Sequence, residues 1–454
     1  MENLPNKPQK ESRLRRFTKN PRKAVWELAL PMMFGMAVQN IYNLVDMFFV
    51  GKIDANGSAI AALSFNMPFL FFSWGLIFGL GAGVTSVISR LIGEHDKKGA
   101  DNAAEHTILL GLIMSALITT IGIVFGENIL IAMGTPAHIL KDAYDYFSIV
   151  AGGMVFMIMA IFFRSILSGE GDAKFPMVVM IIGTITNIIL DPIFIFYFNM
   201  GVKGAAIATV TSQALVTSIF IFALLIKDHA YLSFSLRDFS FRFSILKKIF
   251  IVGIPASLSM VIMSVGSGIF NKILVVYSED AVSGHQIVGR LEHLIFIPLS
   301  SIAGALVTLV GMFYGAKNFS AIRNVIFYGM KRSIGIASLI AISFWIFAPF
   351  LIQIFTESEN IIRYGIQKLK ITAWTYPFIA MGMTSSRVMQ GLGKGVPMMV
   401  TTLLRVLIIS VPLSLYFKFV LDKPIEYIWY SIIFSTVIST NVALQWLKRT
   451  LKFL

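Results

Sequence analysis

Apolar runs of roughly the ~20 residues needed to cross a bilayer as a helix recur along the chain, separated by short polar or basic stretches. The pattern predicts twelve spanning helices, near 25–50, 60–89, 104–125, 145–167, 176–198, 203–226, 248–274, 283–312, 325–347, 366–389, 397–419 and 426–447. Inside these runs the few polar side chains follow helical spacing. In the first span Gln39, Asn43 and Asp46 recur at i, i+4 and i+7 and share one face, with Tyr42 beside them. A charge near the bilayer core costs ~2.5–3.5 kcal/mol on insertion scales, so this face looks at protein or at a water-filled cavity. The fifth span carries Thr184, Asn187 and Asp191 at i, i+3 and i+7, followed by Pro192. That proline removes a backbone donor and frees a carbonyl one turn back, near Ile188, beside a carboxylate. The sixth span carries Thr209 and Gln213 at i, i+4.

Depth ties these positions together. At 1.5 Å per residue, Asp46, Asp191 and Thr209 lie roughly 8, 12 and 9 Å from the outer ends of their spans. Two carboxylates at one level repel if both are ionised, which a bound proton or a cation between them relieves. Asp46, Asn187, Asp191 and Thr209 supply the oxygen ligands that hard cations prefer. They are the expected proton- or cation-binding group, with Gln39, Tyr42, Asn43, Thr184, Gln213 and Arg290 supporting it or lining a cavity. Arg290, Glu292 and His293 fall inside the eighth span, and Arg290 and Glu292, at i and i+2, point away from each other.

The pattern also repeats. Pro31 matches Pro255, Gly81-Ala82-Gly83-Val84-Thr85 matches Gly304-Ala305-Leu306-Val307-Thr308, and Gly169-Glu170-Gly171 before Pro176 matches Gly391-Leu392-Gly393 before Pro397. All three pairs stand at nearly the same separation, close to half the chain. Six spans return a chain to its starting side, so the copies share one orientation and are related by an axis along the membrane normal, with substrate between them. The expected organisation is a basic cytoplasmic tail at 1–23, a six-helix lobe at 24–226, a cytoplasmic linker at 227–247 and a second six-helix lobe at 248–454. The second lobe offers no matching acids: Phe270 stands near the Asp46 position and Pro412 near that of Asp191.

Composition agrees with a polytopic membrane protein: 56% of the 454 residues are hydrophobic and 14% charged, against roughly 25% charged in soluble domains. With no cysteine there is no disulfide, thiolate metal site or cysteine nucleophile, and the six histidines lack metal-ligand spacing. The net charge of +14 sets topology rather than recruiting nucleic acid. The N-terminal tail, alternate loops with their flanks and the C-terminal tail hold 27 Lys and Arg; the other loops hold nine, Lys368 among them. This bias puts both termini in the cytoplasm. The polar, basic first 23 residues argue against a cleavable signal peptide.

Ala29-Leu30-Pro31 leading to Asp46, Arg164 to Asp172 before Pro176, Asn187-Ile188-Ile189-Leu190-Asp191-Pro192, Gly204 to Thr209 and Gln390-Gly391-Leu392-Gly393 together resemble the multidrug and toxin extrusion (MATE) family, most closely its DinF-like and archaeal branch. The resemblance implies an all-α fold of twelve transmembrane helices in two six-helix lobes related by pseudo-twofold symmetry. It implies alternating access and export of cationic or amphipathic organic compounds across the plasma (inner) membrane. Inward H⁺ or Na⁺ would drive the cycle, with no other cofactor, no resident metal and no enzymatic activity. Carried onto this chain, it makes Asp46, Asn187, Asp191 and Thr209 the site for the proton or Na⁺, and Pro31 the point where the first helix bends. A monomer is expected, since both lobes lie in one chain. Two competing readings are a lipid-linked oligosaccharide or lipid flippase of the same superfamily and an intramembrane aspartyl protease. The flippase calls for a cavity rich in cations, for which Arg290 and Arg405 are the candidates. The protease rests on Tyr144-Asp145 and Gly169-Glu170-Gly171-Asp172, whose acids fall at opposite membrane faces in this topology.

Overall fold

The computed structural model describes residues 12–53, 58–227, 229–234 and 239–453. Apolar runs with satisfied backbones become helices wherever they meet, because lipid offers no other hydrogen-bond partner. A short helix, α1 (Leu14–Lys19), precedes α2 (Pro21–Val50), α3 (Ser58–Gly93) and α4 (Lys97–Ala132). Next come α5 (Ala137–Gly152), α6 (Met154–Gly169), α7 (Lys174–Pro192) and α8 (Gly201–Ile221). The second half holds α9 (Phe243–Val275), α10 (Glu279–Gly315), α11 (Phe319–Gln353), α12 (Glu359–Thr372) and α13 (Tyr376–Gly391). It ends with α14 (Val396–Leu403), α15 (Val411–Leu415) and α16 (Glu426–Lys452).

Ten of the crossings are long apolar helices, α14 and α15 forming one through the wide turns between and beyond them. An eleventh is the pair α5–α6, bent by 47° at Gly153. The twelfth is α12–α13, joined by a tight turn at Ala373–Thr375. Its first half is polar, so the apolar run begins near 366 while the helix itself begins at Glu359. Helix α2 runs unbroken through Pro31.

The two halves correspond in detail. Their broken crossings match end for end: Ala137 with Glu359, Met154 with Tyr376, and Gly169 with Gly391, each pair at one and the same separation along the chain. Wide turns close the fifth and eleventh crossings, with Phe198 N–H donating to the Ile193 carbonyl and Leu421 N–H to that of Tyr416. The same offset governs the contacts between halves. The Ser86 hydroxyl donates to the Gln390 carbonyl, and the equivalent Thr308 hydroxyl donates to the equivalent Ser168 carbonyl at 2.8 Å. A Cβ at Gly93 would strike the Met312 carbonyl oxygen, and one at Gly315 that of Arg90. Such reciprocity is what a twofold axis imposes. The axis passes between the C-terminal ends of α3 and α10, where only glycine lets the backbones touch.

That end of the bundle also carries both termini, and it is held shut by more than α3 and α10. Residues 1–23 are not a loose tail throughout. Residues 1–11 lie outside the described residues, but Leu14 and Phe17 are buried and Phe17 seats against Gly171, whose φ of +84° no bulkier residue adopts cheaply. Arg13 reaches Glu170 at 3.0 Å and Asp172 at 2.7 Å. The polar approach to the first span is thus pinned by an apolar and an ionic contact together. The linker is also tied down: the Tyr231 and Leu232 N–H groups donate to Glu170 at 3.0 and 3.3 Å, and His229 lies 3.4 Å from Asp172. Burial pushes the Glu170 carboxyl up to about 7 despite the Arg13 guanidinium beside it. The linker ends sooner than expected, because α9 begins at Phe243.

Candidate functional site

Helix α7 buries one stripe: Pro176, Val179, Gly183, Thr184, Asn187 and Asp191. Its i, i+3/i+4, i+7 spacing turns the three polar members inward along with the apolar ones, against α2 and α8. Asn187 Nδ2 donates to Asp191 Oδ1 at 3.3 Å, and the Asp191 side chain is wholly buried. Its second oxygen, Oδ2, and Asn187 Oδ1 are buried without a hydrogen-bond donor. Two orphan acceptors side by side are unusual, since an unsatisfied buried polar atom costs ~1–3 kcal/mol. They fit a proton on the carboxyl group, or a small hard cation between the oxygens.

Half-buried Asp46 on α2 lies within electrostatic reach of Asp191, and the Tyr42 hydroxyl meets the Thr209 hydroxyl at 3.3 Å. Three crossings that are not all neighbours in sequence therefore converge, as their depths implied. Sequence reasoning missed one participant: buried Tyr146 on α5, whose phenol feels both Asp46 and Asp191. A lone tyrosine in an apolar run gives no signal. The register of the repeat, however, pairs Tyr146 with Lys368 in the second half.

The remaining candidates stand apart from this group. Thr184 is buried on the same face as Asn187. Gln39 and Gln213 are half-buried and Asn43 is exposed, and none of their side chains forms a hydrogen bond among the described residues. Arg290 is exposed on α10. Its neighbour Glu292 faces the other way and enters a second polar cluster that the sequence does not reveal. Lys368, a loop lysine by the sequence pattern, is 2% exposed on α12, 3.5 Å from Glu292 Oε2, and donates to the His285 carbonyl at 3.3 Å. The Tyr376 hydroxyl donates to Glu292 Oε1 at 3.5 Å, and the Arg405 guanidinium is within electrostatic reach of the same carboxylate. The His285 ring stacks on buried Trp429, centroids 5.8 Å apart.

Comparison with known proteins follows the same division. The MatE family model matches the chain twice, over residues 31–193 and 255–416, beginning at Pro31 and at Pro255. The chain is 29% identical over 405 residues to the probable multidrug resistance protein NorM of Thermotoga maritima, covering 87% of this chain and 85% of that one. It is 26% identical over 390 residues to the multidrug export protein MepA of Staphylococcus aureus, covering 85% of each. Its fold matches a structure described as the outward-facing conformation of a multidrug resistance MATE family transporter, with TM-score 0.91, 31% identity and 98% and 99% of the two chains covered.

Proposed function

Because the chain belongs to the MatE family of multidrug efflux transporters, we propose that it is a cation-coupled antiporter exporting cationic or amphipathic organic compounds by alternating access. The observation that carries this reading is the pair of orphan oxygens on Asp191 and Asn187 with Asp46 beside them: the site lacks a positive charge that the protein itself does not supply. The excess of basic residues on the terminus-bearing side supports placing that side in the cytoplasm of a plasma (inner) membrane. The halves then touch at the cytoplasmic end. H⁺ or Na⁺ entering from outside neutralises Asp46 and Asp191 and relieves their repulsion. Helix α2 repacks against α7, with Pro31 as its weak point, because that residue leaves the carbonyl one turn back unbonded. The compound leaves outward, the lobes rock about the α3–α10 contact, and the ion is released inside. An inward-moving positive charge gains ~2.3 kcal/mol per 100 mV, enough for concentrative export. With both lobes in one chain, the working unit is a monomer.

The test is counterflow of a fluorescent cationic dye from proteoliposomes under an imposed pH or Na⁺ gradient at zero membrane potential. One gradient drives export by the wild-type protein, and Asp46→Asn or Asp191→Asn removes the response. Export by both variants at the wild-type rate, or no response to either gradient from folded wild-type protein, overturns the reading.

A further inference from the structure

We propose that the C-terminal half holds a binding site for an anionic group, a carboxylate or a phosphate, formed by Lys368, Arg405 and Glu292. The Lys368 ammonium contacts the Glu292 carboxylate and the Arg405 guanidinium lies within its electrostatic reach, so the cluster carries surplus positive charge. A buried structural pair needs one cation for each carboxylate, and a second one only adds desolvation cost. The donors are also underused. The Lys368 ammonium, with three N–H groups, contacts Glu292 at 3.5 Å and the His285 carbonyl at 3.3 Å. The Arg405 guanidinium, with five, makes one hydrogen bond among the described residues, to the thioether of Met263 at 3.2 Å. Trp429, whose indole ring lies 6.0 Å from the Lys368 ammonium, has its N–H buried with no acceptor. Unused donors on α12, the eleventh crossing and α16, each within reach of Glu292 or Lys368, match what a planar or tetrahedral oxyanion accepts.

Access is provided by Glu292, a quarter of whose side chain is exposed. A carboxylate in a spanning helix does not face lipid, so this opening leads to a water- or ligand-filled space. The cluster also sits on one of two equivalent broken crossings, the feature that marks binding sites in transporters built from repeats. Across the repeat its lysine replaces Tyr146, which faces acids. The amphiphiles that suit both halves carry negative charge at one end, from a solute or from a lipid headgroup. The inference does not depend on ion coupling, because binding is read without any gradient.

The full chain in nanodiscs of zwitterionic lipid is titrated calorimetrically with octyl phosphate and with octyltrimethylammonium, empty nanodiscs serving as blanks. Octyl phosphate binds saturably and the ammonium does not displace it. Arg405→Gln weakens the phosphate at least ~tenfold, the loss of about one charge-assisted contact. The double variant Lys368→Gln/Glu292→Gln, which removes the Lys–Glu pair together and retains its melting transition, binds the phosphate more weakly than Glu292→Gln alone. Glu292→Gln alone has the opposite effect, tightening binding by removing the internal competitor, which a purely structural Lys–Glu pair would not do. Loss of phosphate binding on adding phosphatidylglycerol assigns the group to a lipid headgroup, and its persistence assigns it to a solute. Absence of saturable phosphate binding, displacement of the phosphate by the ammonium, or wild-type affinity in Arg405→Gln overturns the proposal.

Discussion

In the N-terminal half, the broken crossing α5–α6 brings Tyr146 toward Asp46 and Asp191. In the C-terminal half, the equivalent crossing α12–α13 brings Lys368 to Glu292. The backbones correspond end for end, yet Asp46 and Asp191 have no ion-pair partner among the described residues, whereas Glu292 has one cation on α12 and another within electrostatic reach. The same scaffold thus offers two different electrostatic situations. A site short of positive charge responds to a mobile ion. A site that carries its own cations is satisfied without one, and takes an anion if it takes anything. The ion coupling proposed above would then fall to the N-terminal half, since the second half has no acids at the positions matching Asp46 and Asp191.

The sharpest way to break the comparison is stability. Glu292→Leu strands a buried ammonium and lowers stability by ~3–5 kcal/mol, the usual cost of removing one partner of a buried pair. Asp191→Asn removes a repelling charge and leaves an amide, so it raises stability, by ~1 kcal/mol. Thermal melting of the purified full chain measures both, and shifts of the same sign would erase the distinction between the halves.

A subtler test moves the charge itself. Tyr146→Lys gives the first half the cation that the second carries at the matching position. The fixed ammonium takes the place of the mobile ion, and gradient-driven dye export falls by ~tenfold or more, about 1.4 kcal/mol of lost coupling. Export that still follows the gradient at the wild-type rate would show that Tyr146 does not face the ion site.

The smallest effect concerns the turn ending each broken crossing, where Glu170 in one half corresponds to buried Leu392 in the other. The folded Glu170 carboxyl titrates at about 7, above the ~4.3 of an unfolded glutamate. The folded state therefore holds its proton more tightly. This contribution to stability is complete below about pH 4 and is lost as the pH rises through about 7. Melting temperature should fall over that window, and Glu170→Gln should flatten the slope. An unchanged slope would mean that Arg13 and the linker N–H groups hold the carboxylate ionised throughout.

Much of this is legible without any structure. Twelve apolar runs, the parallel repeat and the inward-facing stripe of α7 follow from helix periodicity and from the cost of placing polar groups in lipid. Asp46, Asn187, Asp191 and Thr209 stand out because each is an expensive exception in an apolar segment. Lys368 escapes the same test for a definite reason: α12 is polar along its first half, so a lysine there looks like part of a loop. Tyr146 escapes it because tyrosine is common in membrane helices. The docking of Leu14 and Phe17 is hidden by the basic residues around them.

The sequence by itself determined the elements, their order and the parallel repeat, since these depend on hydrophobicity, period and parity along a single chain. Only the tertiary structure decided which polar groups share a neighbourhood. That Ser86 and Thr308 bond reciprocally across an axis, that Asp191 keeps an unpaired oxygen, and that Lys368 rather than Arg290 meets Glu292 all depend on how helices rotate and pack against one another. Packing is settled by contacts between residues far apart along the chain, and neither spacing nor composition carries that information.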